Sequence, residues 1–185
     1  MKIIRVLSAY IRFIFHKLYY LKSLRGSWIG LMFWNAKILI ESNGDLKLGK
    51  KIILSDYSEL KAIGSLVIGS KVFVNKYSRI ISLDNIQIGS NVLIAQFVTI
   101  LDHDHNRIMH HGNMIFENYN TGPVYIGDNV LIGDKVTILK GSHIGNNVVI
   151  GANCVINGLI PSNSIVSFKK DSQIILKNKI EDAKI

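Results

Sequence analysis

The stretch "VYIGDNVLIGDKVTILKGSHIGNNVVIGANCVI", residues 124–156, repeats an isoleucine every six positions, at Ile126, Ile132, Ile138, Ile144, Ile150 and Ile156. Four positions after each of the first five stands a small or β-branched residue: Val130, Val136, Ser142, Val148 and Cys154. A period of six is neither the ~3.6 of an amphipathic helix nor the alternation of one long strand. It predicts short strands joined by tight turns, each placing one aliphatic side chain inward at an equivalent corner. The phrase recurs upstream as "LKLGKKIIL", "LVIGSKVFV" and "IQIGSNVLI", whose aliphatic–glycine pairs begin at Leu48, Ile68 and Ile88. Ile126 to Ile144 is a step of 18 residues, or three hexads, whereas the steps between Leu48, Ile68 and Ile88 are 20 each. One turn in each earlier coil therefore holds two extra residues. A single coil buries too little to be stable, so the coils must stack. The expectation is a triangular parallel β-helix, with each glycine easing the bend that follows an inward aliphatic. Cys154 occupies a small inward slot, which assigns it to the core, and as the only cysteine it excludes an intrachain disulfide.

With 48% hydrophobic and 19% charged residues in 185, the chain is a folded domain with a short appendage rather than a disordered segment. The net charge of +9 is unevenly placed: Lys2, Arg5, Arg12, Lys17, Lys22, Arg25 and Lys37 precede the first acid, Glu41. At helical spacing Lys2, Arg5, Ala9, Arg12 and His16 share one side, and Ile3, Leu7, Tyr10, Ile14, Leu18 and Leu21 the other. The longest uncharged run of this segment, Gly26 to Ala36, falls well short of the ~18 residues of a membrane span. Arg12 also interrupts the apolar region that a signal peptide needs. Two readings stay open for this helix: its apolar side meets an anionic membrane surface through residues 1–25, or it packs on protein. No nucleic-acid-reading motif accompanies the charge. The organisation expected is a basic amphipathic segment over 1–40, repeats over 41–168 and a tail over 169–185.

The hexad rhythm breaks once. Ile100 to Ile126 is 26 residues where a coil takes 18 to 20, and the excess, "LDHDHNRIMHHGNMIFENYNTGP" at 101–123, holds four of the six histidines. A rigid stack fixes both ends of such an insertion, which makes it the place for chemistry. If the start of the loop is extended, His103 and His105 point to one side, and Asp102 and Asp104 to the other. A neutral imidazole near pH 7 accepts a proton. His110 and His111 are assigned to the loop surface or to substrate contacts.

The "[LIV]-G-x-x-x-x" hexads, over about Leu48 to Ser167, resemble the left-handed β-helix acyltransferases. The order "IGSNVLIAQFVTI", histidine-bearing loop, "IGDNVLIGDKVTI" is similar to the galactoside and maltose O-acetyltransferases and related polysaccharide O-acetyltransferases. The resemblance implies an all-β, left-handed parallel β-helix with a short N-terminal helix and a short tail. It also implies a homotrimer, acetyl-coenzyme A bound between neighbouring prisms, a saccharide hydroxyl as acceptor and no metal, while the single cysteine fits a cytoplasmic location, with the basic segment open to the inner face of the membrane. By the same resemblance His105 is the general base, with His103 the alternative, and Asn75 holds the acceptor or the oxyanion. Asp84, with Asp102 and Asp104 beside the histidines, is expected to face substrate. The coenzyme is expected along Gly133, Asp134, Gly151, Ala152, Asn157 and Gly158, with Lys169 and Lys170 near its phosphates. The sequence departs from the family at Leu131, where an aromatic is usual, at Gly158, where a lysine is usual, and in its ending "SIVSFKKDSQ". Separate N-terminal sugar-binding helices are replaced by the basic aromatic segment.

Three other functions fit parts of this pattern. Transfer to an amino-sugar nitrogen would use the same base. A zinc enzyme of the carbonic anhydrase type requires histidines from separate coils, whereas four crowd one loop here and His16 and His143 lie far away. A non-catalytic prism would bind no coenzyme.

Overall fold

The computed structural model describes residues 2–110, 113–169 and 173–178. One helix, Lys2–Tyr19, precedes a parallel β-solenoid of about seven turns. The strands form three sheets, of seven, eight and six strands, and each sheet takes every third strand of the solenoid. The first face begins at Leu24–Gly26, the second at Gly30–Met32 and the third at Lys37–Ile40. The expected triangular prism is therefore present.

Its register is the hexad register. Ile88, Ile126, Ile144 and Ile160 stack on the first face, Ile94, Ile132, Ile150 and Val166 on the second, and Ile100, Ile138 and Ile156 on the third. All are buried, as is Cys154. The repeated glycine has a different cause from the one expected. Gly49, Gly69, Gly89 and Gly127 do not have positive φ. Instead, a Cβ at Gly69 would stand 2.5 Å from the Gly89 carbonyl carbon, and one at Gly89 would stand 2.6 Å from that of Gly127. Glycine is required because successive coils approach there backbone to backbone. The turns that do need positive φ use other residues. Asn91, Asn129, Asn147 and Asn163, at the corner between the first and second faces, have φ of 56–60°, which asparagine tolerates. Each amide donates to the next, at 2.7, 3.1 and 2.8 Å. At the corner between the second and third faces the same conformation falls on Tyr57, Tyr77 and Phe97. Their rings stack nearly parallel, with centroids 5.1 and 5.0 Å apart, which offsets part of the backbone cost.

The boundary at residue 40 is corrected. Leu24–Gly26 pairs with Asp45–Leu48, and Gly30–Met32 with Ile52–Leu54, so residues 24–40 are the first coil. Its inward residues, Leu24, Met32, Ala36 and Ile38, do not carry the aliphatic–glycine phrase, and that concealed it. At the other end, Gln173–Asn178 pairs antiparallel with Ser164–Lys169, so part of the tail extends the second sheet.

The helix plugs the open end of the prism, but not with its most apolar side. Ala9, Phe13 and Lys17, one turn apart, are its buried residues. Phe13 joins the core and lies against Gly30, where a Cβ would stand 2.7 Å from the ring. Lys17 Nζ donates to the carbonyls of Leu24 and Gly26 at 2.6 and 3.3 Å and lies 5.2 Å from the Trp28 ring. Burial pushes its pKa below the usual lysine value. Phe13→Ala should cost about 3–5 kcal/mol in urea unfolding. Ile4→Ala, on the exposed side of the same helix, should stay within about 0.5 kcal/mol.

Candidate active site

The insertion at 101–123 is a β-hairpin rather than an irregular loop. His103–His110 pairs antiparallel with Asn113–Thr121, with an irregularity between His105 and Arg107. It leaves the prism at the corner between the third and first faces. Inward–outward alternation along Thr99–Leu101 brings Asp102 inward at the hairpin's root, directly after buried Ile100 and half-buried Leu101.

Asp102 is fully buried and its carboxylate is surrounded by donors. Oδ2 accepts from the Ser82 hydroxyl at 2.8 Å and the Asp84 N–H at 2.9 Å, and Oδ1 from the Leu83 N–H at 2.9 Å. The Asp102 carbonyl accepts the Gly122 N–H at 2.8 Å, which closes the hairpin base. His103 Nδ1 lies 3.0 Å from Oδ1. With donors filling its other contacts, the carboxylate acts here as an acceptor, so Nδ1 carries the hydrogen, and in the neutral ring Nε2 keeps its lone pair. Desolvated ion–dipole contacts of this kind are the stronger class of hydrogen bond. The expectation that Asp102 faces substrate is therefore corrected: it has no surface left to meet one, and it orients its neighbour.

His105 differs. It is exposed, lies 4.9 Å from Tyr119 and 6.2 Å from Phe116 between ring centroids, and has no hydrogen-bond partner among the described residues. His103 meets the same Tyr119 edge-on at 5.4 Å. Both histidines thus share one side of the hairpin, while Asp104 turns to Lys140 at 3.1 Å. Of the two, the fold orients His103. Asp84 lies at the same corner with its side chain exposed. His110 lies in the hairpin strand and His111 lies outside the described residues.

The other expected residues sort onto corners. Asn75 follows Phe73–Val74 of the second face and precedes Arg79–Ser82 of the third. Its Oδ1 accepts the Lys76 N–H at 2.8 Å. Gly133, Asp134, Gly151 and Ala152 continue down that corner, and the second-face strand ends there at Lys169. Lys170 lies outside the described residues. Asp134 Oδ1 is engaged by the Gln96 N–H at 2.8 Å, a bond between coils. Asn157 and Gly158 lie instead at the hairpin's corner, two coils below His103, and the space beside Gly158 is open. Within one chain, then, the structure gathers His103, His105, Asp84 and Asp104 around Asp102 and leaves Asn75 on a different edge. No three histidine, cysteine or acidic side chains converge to hold a metal among the described residues.

Three residues at this site escaped the sequence reading. Ser82 lies 20 residues before Asp102, one coil, so the repeat period itself points to it. Tyr119 and Phe116 are visible only once the hairpin register is known.

Residues 123–158 match the family of the bacterial transferase hexapeptide (six repeats). WbbJ of Escherichia coli K12, named for O-acetyl transfer in lipopolysaccharide biosynthesis, is 37% identical over 73 residues, 36% of this chain and 37% of that protein. The bifunctional protein GlmU of Methanococcus maripaludis C7 is 48% identical over 54 residues, 29% of this chain and 13% of its own. The chain thus aligns with 37% of the length of the first of these curated relatives and 13% of the second. Among solved structures, AntD, an N-acyltransferase from Bacillus cereus in complex with dTDP and 3-hydroxybutyryl-CoA, superposes with a TM-score of 0.72 at 19% identity, over 91% of this chain and 88% of its own. The polysialic acid O-acetyltransferase OatWY gives a TM-score of 0.64 at 25% identity, over 88% of this chain and 78% of its own. Repeat, register and shared fold make the chain a left-handed parallel β-helix of hexapeptide repeats, which over residues 123–158 match the bacterial transferase hexapeptide.

Proposed function

We propose that the protein transfers an acetyl group from acetyl-coenzyme A to a saccharide hydroxyl, with His103 as general base. The observation that carries this is the His103–Asp102 pair at the root of the one insertion in the stack. Nε2 takes the proton of the acceptor hydroxyl as its oxygen attacks the thioester carbonyl carbon. Collapse of the tetrahedral intermediate breaks the carbon–sulfur bond, and the imidazolium returns its proton to the departing thiolate. Asp102 holds the ring and stabilises its charged form, and such base assistance is worth ~10²–10⁴ in rate. The names of WbbJ and OatWY support a saccharide acceptor, and the coenzyme in AntD supports the donor.

The same proposal makes the enzyme a homotrimer. Outward residues of a solvated sheet face are normally polar. On the second face they are Leu31, Ile53, Phe73, Leu93, Leu131, Val149 and Ile165, in register through seven coils. On the first face the corresponding row reads Arg25, Lys47, Val67, Gln87, Tyr125, His143 and Leu159. The apolar row fits a second copy of this chain. Asn75, Gly133–Asp134 and Gly151–Ala152 border it, so a neighbour's hairpin would meet them there. The Asn75 amide then faces the oxyanion, and the coenzyme lies between prisms, with Asn157, Gly158 and Lys169 on its path.

Thiol release from acetyl-coenzyme A, measured with a panel of saccharides, tests the chemistry. His103→Ala should lose at least a hundredfold in acceptor-dependent kcat, and His105→Ala less than tenfold. The reverse order would make His105 the base. Asp102→Ala should lose activity and also about 1–3 kcal/mol of stability, because buried donors lose their acceptor. Leu93→Glu with Leu131→Glu should yield monomers by light scattering and abolish turnover without unfolding the prism.

A further inference from the structure

The N-terminal helix has more apolar surface than the prism or its copies use. Ala9, Phe13 and Lys17 face the prism end. One flank, Ile3, Val6, Leu7 and Tyr10, lines a groove with Leu31, the top of the outward apolar row on the second face. That flank belongs with the contact between copies. Helical spacing puts Ile4, Ile11, Phe15 and Leu18 on the side opposite the buried strip, pointing away from the prism end. They are 72%, 54%, 71% and 57% exposed. Copies packed side by side along the second face cover flanks and leave these ends open.

We propose that this end docks on an anionic lipid surface, with the helix lying flat in the headgroup region and the prism standing on it. Three observations favour lipid over another protein. The rim is aromatic: Tyr19, Trp28 and Trp34 are 78%, 45% and 62% exposed, the residue types that settle at membrane interfaces. The charge is complementary, since residues 1–40 hold seven Lys or Arg and no acid. Asp56 and Asp45 meet Arg5 and Arg25, while Arg12, on the Trp34 ring at 4.5 Å, and exposed Lys22 have no carboxylate partner among the described residues. That same charge opposes end-to-end stacking of two copies, which would bring cation against cation. No helix among the described residues is long and apolar enough to cross a membrane, so the contact is superficial.

Both tryptophans of the chain lie at this end, so their emission reports on it alone. The full-length protein is mixed with phosphatidylglycerol–phosphatidylcholine vesicles and, in parallel, with phosphatidylcholine vesicles. Expected are co-sedimentation and a blue-shifted emission with the anionic vesicles only, weakened by salt. Ile11→Ser with Phe15→Ser should bind at least tenfold more weakly while keeping the wild-type mass and thiol-release activity on a soluble acceptor. Failure of the wild-type protein to bind anionic vesicles overturns the proposal, as does equal binding by the variant. A fall in oligomer mass in the variant overturns it too, by making a second copy the occupant.

Discussion

Everything in this molecule depends on the contact between one coil and the next. Apart from tight turns such as Ser58 N–H to Ser55, the backbone hydrogen bonds of a coil go to its neighbours: the Gly69 N–H reaches Ile88, Gly89 reaches Ile126 and Gly127 reaches Ile144, each in the following coil. The glycine phrase sets how closely coils approach, and the isoleucine columns set where they stop. Corner side chains lock the stack laterally: Asp128 accepts the Ser90 N–H at 2.6 Å, and Asn146 accepts that of Asp128 at 2.8 Å. Such a lattice is rigid along its axis and indifferent to what emerges from its corners, which is what a catalytic insertion requires.

The site arises where the lattice is modified rather than where it is absent. Asp102 occupies an inward position, in column with Ala62 and Ser82 of the preceding coils. A carboxylate there is tolerable only because the previous coil turns Ser82, Leu83 and Asp84 toward it as donors. The 20-residue coil supplies them, since its two additional residues widen this corner. The extra length that reads in the sequence as a blemish in the period thus forms the cradle, and the cradle fixes His103. A histidine two residues farther out, at 105, leaves the lattice and, among the described residues, rests on Tyr119 and Phe116.

This explains what the sequence could and could not show. The prism, its three faces, the burial of Cys154 and the position of the insertion follow from one period of six, because in a solenoid each residue's environment is set by its phase. The family's alignment pointed to His105, and an ungapped count through a hairpin does not register which residue remains attached to the core. Phase points to the attached one: residue 102 continues the inward row of Ile100, so its side chain must be satisfied from within, and it holds His103. The first coil escaped because Met32 and Ala36 fill slots that the phrase reserves for Ile, Leu or Val. The helix kept two readings for its apolar side, an anionic membrane surface or protein, and neither located the strip that packs: the narrow prism end accepts Ala9, Phe13 and Lys17, which straddle the two sides.

That last point bears on why the helix has the composition it has. A plug for the end of a prism needs one strip of side chains at i, i+4 and i+8, and a polar exterior serves it best. This helix supplies the strip and then carries a second apolar arc on its opposite side, through Ile4, Leu7, Ile11, Phe15 and Leu18. A plug does not need that surface, and in water it invites aggregation. The strip itself is made with a lysine, whose ammonium satisfies the carbonyls of Leu24 and Gly26 at the first edge of the stack, so the helix was free to be polar elsewhere. Capping therefore accounts for three residues of the helix. The remaining apolar arc asks for a second partner, and the basic, aromatic rim around it describes what that partner must be.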